Sequence, residues 1–104
     1  MPEVNLVAVL YPKPEKSEEL SALLGEVTQK VQANEPDTLL YYAFSTKENE
    51  IVVVERYRNQ AAVQAHVQSP YFREFAAKVP GLVARPMEVK MGAQLGASAR
   101  VSRI

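Results

Sequence analysis

A chain of 104 residues has the length of one domain, enough for a true core but with so much surface that pairing of copies is common. Acidic and basic residues balance at twelve each, so nothing draws the chain over a distance to nucleic acid or to an anionic membrane. The absence of cysteine excludes disulfides, thiolate zinc sites, iron–sulfur clusters and cysteine nucleophiles, and a single histidine leaves little for a metal site built on imidazoles.

The first apolar run, "VNLVAVLY" (4–11), has Asn5 as its only clearly polar member and reads as a mostly buried strand. The prolines of "PKP" end it by removing ladder donors. A helix follows, with Pro14 in its first turn or Ser17 as its cap, and with carboxylates at 15, 18 and 19 suited to a positive helix end. Leu20, Leu23, Leu24, Val27 and Val31 form one apolar stripe, and Asn34 and Pro36 stop the helix. "TLLYYAFS" (38–45) and "EIVVVERY" (50–57) are rich in β-formers and stand four residues apart, the pattern of an antiparallel hairpin. Asn59 can cap a helix over 60–68, and Ser69 with Pro70 restarts it. "PG" at 80–81 ends that helix, and 83–92 gives a last strand with alternation in "MEVKM". The domain is expected over 1–92, with 93–104 as a tail or an arm onto a partner.

This β-α-β-β-α-β order predicts an α+β, ferredoxin-like fold with an antiparallel sheet and both helices on one face. Strand 38–45 has Leu40, Tyr42 and Phe44 on one alternation and Leu39, Tyr41 and Ala43 on the other, so neither face is polar. An uncovered apolar face is an association surface, which predicts a homodimer closed through the sheet faces. No signal-like opening and no 18-residue apolar span occurs, so a cytoplasmic location is expected, with no membrane or nucleic-acid partner. No glycine-rich phosphate loop and no nucleophile elbow are present.

The segment "VVVERYRNQAAVQAHVQSPYFREF" (52–75) holds the candidate site. Glu55 shares a strand face with Ile51, Val53 and Tyr57, while His66 follows Val63 by three residues on the next helix. If Val63 faces the sheet, His66 enters the gap between helix and sheet, where the Glu55 carboxylate can reach it. That contact would hold one imidazole tautomer and make the ring a general base. Tyr41 or Tyr42, with Tyr57, Tyr71, Phe72 and Phe75, would line an apolar pocket fit for a planar aromatic ligand. The same pair could equally do no more than tie strand to helix. Asn5 could donate a hydrogen bond in the pocket, or could face a bulge or an edge.

"NEPDTLLYYAF" and the 52–75 segment together resemble the antibiotic biosynthesis monooxygenase domain. That family shows E-P-G-x-L-x-Y, then E-x-[WY]-x-[ND]-x-x-A, then H-x-x-S-x-x-[FL]-x-x-[FL]. Here these stand as Glu35, Pro36, Leu39 and Tyr41, then Glu55, Tyr57, Asn59 and Ala62, then His66, Ser69, Phe72 and Phe75, with Asp37 in place of the usual glycine. The resemblance covers roughly residues 4–92. It implies a dimeric α+β barrel, and oxygenation of a small aromatic, anthrone or quinol without metal or flavin, with molecular oxygen as co-substrate and no cofactor. It gives His66 the role of base, Glu55 that of its orienter, and Asn5, Tyr41 and Phe72 the positioning of substrate. Haem-degrading relatives carry a tryptophan near position 66 and a histidine near 76. This chain has His66 and Ala76 and no tryptophan, which disfavours haem turnover. Two other readings stand beside the oxygenase: a non-catalytic dimeric small-molecule-binding or regulatory domain, and an isomerase or degradation enzyme for a small polar metabolite, which would want lysine or arginine in its pocket.

Overall fold

The computed structural model describes residues 2–95. Four strands, β1 (Val4–Pro12), β2 (Thr38–Ser45), β3 (Ile51–Tyr57) and β4 (Val83–Gly92), form one antiparallel sheet in the order β2-β3-β1-β4. Three helices, α1 (Ser17–Asn34), α2 (Gln60–Gln68) and α3 (Pro70–Lys78), complete the ferredoxin-like α+β fold, with the helical break at Ser69 where the sequence places it. Of the expected tail over 93–104, residues 96–104 lie outside the described ones. Among the described residues no helix is long and apolar enough to cross a membrane.

Alternation along the strands divides the sheet into two unlike faces. Leu6, Ala8 and Leu10 of β1 stand in register with Glu55, Val53 and Ile51 of β3, and this face is buried under the helices. Leu20, Leu24, Val27 and Val31 of α1 pack on it, as the apolar stripe predicts, together with Val63 of α2 and Phe75 of α3. The opposite face carries Val7, Val9, Val52 and Val54, only partly covered, and Leu40, Tyr42 and Phe44 of β2, all exposed. β1 is therefore sealed on one side only, not mostly buried throughout as its composition predicts.

Of the two expected starts of the helix, the structure uses the one with Pro14, which opens a 3-10 turn over Pro14–Lys16 directly ahead of α1. Ser17 is its first helical residue rather than its cap, and the hydroxyl donates to Asn49 Oδ1 at 2.8 Å. Asn49 sits in the β2–β3 turn with φ 63°, a conformation that asparagine tolerates better than most residues. The contact ties the beginning of α1 to the hairpin.

Candidate active site

Two short helices and a shared serine set the position of His66. Asn59 caps α2, its Oδ1 accepting from the Ala62 amide at 2.9 Å. Ser69 closes α2, its amide and hydroxyl both donating to the His66 carbonyl at 3.2 and 2.7 Å. The same hydroxyl accepts from the Phe72 amide and so caps α3. The chain bends there, and the Phe72 ring comes to 4.7 Å from the imidazole centroid. Tyr41 lies at 5.2 Å and Tyr57 at 5.8 Å, so the ring is held among aromatics and is 2% exposed.

The carboxylate bound to this ring is Glu35. His66 Nδ1 lies 3.1 Å from its Oε1 and 3.0 Å from its Oε2. Thr38 Oγ1 donates to Oε1 at 2.7 Å, and the Tyr71 hydroxyl donates to Oε2. Burial works against a charge on Glu35, but the hydrogen bonds from Tyr71, Thr38 and His66, with the attraction of the imidazole whenever it is protonated, outweigh it, and the carboxyl is held below its ordinary value. Burial and the bond to Glu35 push the Tyr71 phenol up to about 12, so it stays a donor.

The expected contact between Glu55 and His66 is not made. Glu55 is buried near the ring, but its Oε1 accepts from the hydroxyl of Tyr57, two residues along the same strand face. Burial raises its carboxyl above the ordinary value, the neighbouring Glu35 charge adds to this, and the Tyr57 bond, with the imidazole whenever it is protonated, only partly opposes it. Burial, followed by the Glu55 charge, raises Tyr41 and Tyr57 as well, so both remain phenols.

His66 Nε2 is buried and has no hydrogen-bond partner among the described residues. His66 is part of the wall of a cavity of about 300 Å³ between helices and sheet. Glu55, Tyr41, Tyr57, Phe72 and Phe75 share that wall, and Met87, Val89 and Met91 of β4 complete it. Among the described residues no lysine or arginine lines it. A larger open groove of about 750 Å³ lies beyond Glu35 and Tyr71, and His66 is not among its walls.

Of the residues singled out by sequence, His66, Glu55, Tyr41 and Phe72 converge on the cavity. Asn5 does not. It stands in register with Arg56 and Gly92, one residue out of phase with Leu6, which places it on the outer face of the sheet. Tyr42 also belongs to the outer face, so of that pair it is Tyr41 that joins Tyr57 in the pocket. Glu35 and Thr38 carried no assigned role. Glu35 was visible only as the acidic residue at the stop of α1 and in the matching segment, 31 residues from its imidazole. Among the described residues no group of three or more acidic, histidine or cysteine side chains could hold a metal ion.

A four-stranded antiparallel sheet with a histidine-bearing apolar cavity under its helices defines the class, and the comparisons agree. Residues 4–78 match the model of the antibiotic biosynthesis monooxygenase family, and the chain belongs to that family. It is 40% identical over 81 residues to an uncharacterized protein of Synechocystis, sll1783, matching 76% of this chain and spanning about half, 54%, of that relative's length. It is 30% identical over 92 residues to the Mycobacterium tuberculosis protein named "Putative monooxygenase Rv0793", covering 88% of this chain and 91% of the relative. The structure of Rv0793 superposes with a TM-score of 0.86 over 93% of this chain and 99% of that one, at 28% identity. The Bacillus subtilis protein named "Putative monooxygenase YcnE" is 31% identical over 88 residues, 83% of this chain and 92% of the relative.

Proposed function

We propose that the domain is a cofactor-independent monooxygenase for a small phenolic or quinol substrate, with His66 Nε2 as the base. The observation that carries this reading is a buried Nε2, without a partner among the described residues, on a ring that lines a mainly apolar cavity. A planar hydroxyarene fits among Tyr41, Phe72 and Phe75, with its hydroxyl against Nε2. Loss of that proton makes an electron-rich anion, which passes one electron to molecular oxygen. The substrate radical and superoxide then combine at a ring carbon bearing hydrogen. Elimination of water leaves one oxygen atom on the product as a carbonyl, and the substrate supplies both hydrogens of the water. His66 can return the proton it took when the peroxide breaks. Glu55 shares the cavity wall and can hydrogen-bond a polar atom of the substrate.

The reading includes a homodimer. Val7, Val9, Val52 and Val54 with Leu40, Tyr42 and Phe44 make a continuous apolar surface on the outer sheet face, the feature that a second copy would cover. Among the described residues, the cavity wall offers no lysine or arginine to an enzyme for a small polar metabolite.

The test is oxygen consumption by the purified protein with a panel of quinols and anthrones, followed by product mass. Turnover with incorporation of one oxygen atom from labelled O2, abolished in a folded His66→Ala protein, is the expected result. No consumption across the panel, or activity retained in His66→Ala, overturns it. Tight binding of the same compounds without turnover would leave a ligand-binding domain instead.

A further inference from the structure

Both family segments that meet at His66 carry a glutamate, Glu35 and Glu55, and only one of these carboxylates touches the ring. We infer that Glu35 is the positioning residue of the site: it fixes His66 as the tautomer protonated on Nδ1, and so leaves the Nε2 lone pair in the cavity. The catalytic arm of this inference rests on the reading of His66 as a base.

The hydrogen-bond inventory carries the argument. Glu35 has three neighbours, the Thr38 hydroxyl, the Tyr71 hydroxyl and His66 Nδ1. Both hydroxyls donate to it, and a carboxylate that accepts from both sides has no proton of its own to offer. The ring nitrogen facing it must then carry one, because a bare Nδ1 would place a lone pair against both carboxylate oxygens at 3.0 and 3.1 Å. A neutral imidazole has a single N–H, so Nε2 is left bare. That agrees with its surroundings, where no donor or acceptor of the described residues meets it. The low value of the Glu35 carboxyl is consistent with this arrangement.

Glu55 cannot take this role. Its oxygen is occupied by the Tyr57 hydroxyl, and it shares the cavity wall with the ring instead of backing Nδ1. The two carboxylates thus divide: Glu35 sits behind the imidazole and sets its proton, while Glu55 faces the space in which a ligand would lie.

The chain has one histidine, so the tautomer can be read from the whole protein without assignment. The experiment is two-bond 1H–15N correlation NMR of the wild-type protein labelled with 15N-histidine, at a pH where the ring is neutral. The expected spectrum has a protonated Nδ1 and an unprotonated Nε2. Glu35→Gln presents an amide that can donate as well as accept, and is expected to give a mixture of tautomers or the reversed one. Tyr71→Phe removes a donor to Glu35 but keeps the carboxylate on Nδ1, and is expected to keep the wild-type tautomer. With any quinol that the wild type oxygenates, Glu35→Gln should lower kcat by about 100-fold or more with KM changed less than about threefold, as when a buried carboxylate no longer holds its catalytic histidine. A wild-type ring protonated on Nε2, or an unchanged tautomer in folded Glu35→Gln, overturns the inference. Should Glu35→Gln not fold, the wild-type spectrum still decides. The spectrum is independent of turnover, so a protein with the expected tautomer and no oxygen consumption would refute the function and leave the role of Glu35 standing.

Discussion

Ser69 and His66 are joined twice, through the serine amide and through its hydroxyl, both on the His66 carbonyl. That hydroxyl also receives the Phe72 amide at 3.3 Å. One side chain therefore ends the helix that carries the imidazole and begins the helix that carries the ring packed on it. Ser69→Ala is expected to lower stability by about 1 kcal/mol, the usual cost of a lost cap. Pro70, with its fixed φ, keeps the start of α3 in place and limits the loss. Thermal unfolding monitored by circular dichroism checks this, and a midpoint equal to that of the wild type would show that the hydroxyl is dispensable.

Glu55 and Glu35 give stability opposite dependences on pH. Burial raises the Glu55 carboxyl above the ordinary 4.5, so the folded protein keeps a proton that the unfolded chain has already lost. The stability this provides is complete below 4.5 and fades as pH rises through the raised value. Glu35 is lowered, so its contribution is present above 4.5 and is lost as pH falls through its folded value. Glu55→Gln removes the buried charge and is expected to raise the unfolding midpoint at pH 7–8, by an amount that shrinks as pH falls toward 4.5. A difference that stays constant between pH 5 and pH 8 would mean that Glu55 titrates normally.

On the outer face, Tyr42 and Phe44 are 49% and 47% exposed, with ring centroids 6.3 Å apart. If this face is the dimer surface, the double substitution Tyr42→Glu and Phe44→Glu should convert a two-chain species into single chains, because unpaired charges are costly to bury in an apolar contact. Light scattering after size-exclusion chromatography reads the mass directly. Two-chain mass retained in the double variant would move the interface elsewhere.

Asn5 supplies a control on the sheet geometry. It lies across the sheet from the cavity, so Asn5→Ala should leave any oxygenation rate within about twofold of wild type. A loss comparable to that of His66→Ala would place Asn5 in the site after all.

At Leu20, which is fully buried, replacement by alanine should cost about 2–5 kcal/mol, measured by urea denaturation.

The order of elements was legible because local chemistry announces it. Prolines end β1, Asn59 and Ser69 cap at the positions their types favour, and the α1 stripe repeats at helical spacing. The meeting of His66 with the Glu55 face also followed from two periodicities, 3.6 for α2 and 2 for β3. The partner of His66 did not, since Glu35 reaches it only through the angle at which the chain leaves α1, and no spacing rule spans those 31 residues. Asn5 was ambiguous for a different reason. Both alternations of β1 are aliphatic, so composition could not tell which one the helices cover, and only the pairing of Leu6 with Glu55 decides it.

β4 is an edge strand, and Met87, Val89 and Met91 belong to the cavity wall yet remain exposed, Met91 at 52%. On this side the hollow has a hydrocarbon lip carried by a strand. A ligand that crossed this lip would shed water there. A charged ligand crossing at β4 would lose hydration against hydrocarbon, and two pliant thioethers there could adjust to differences in outline.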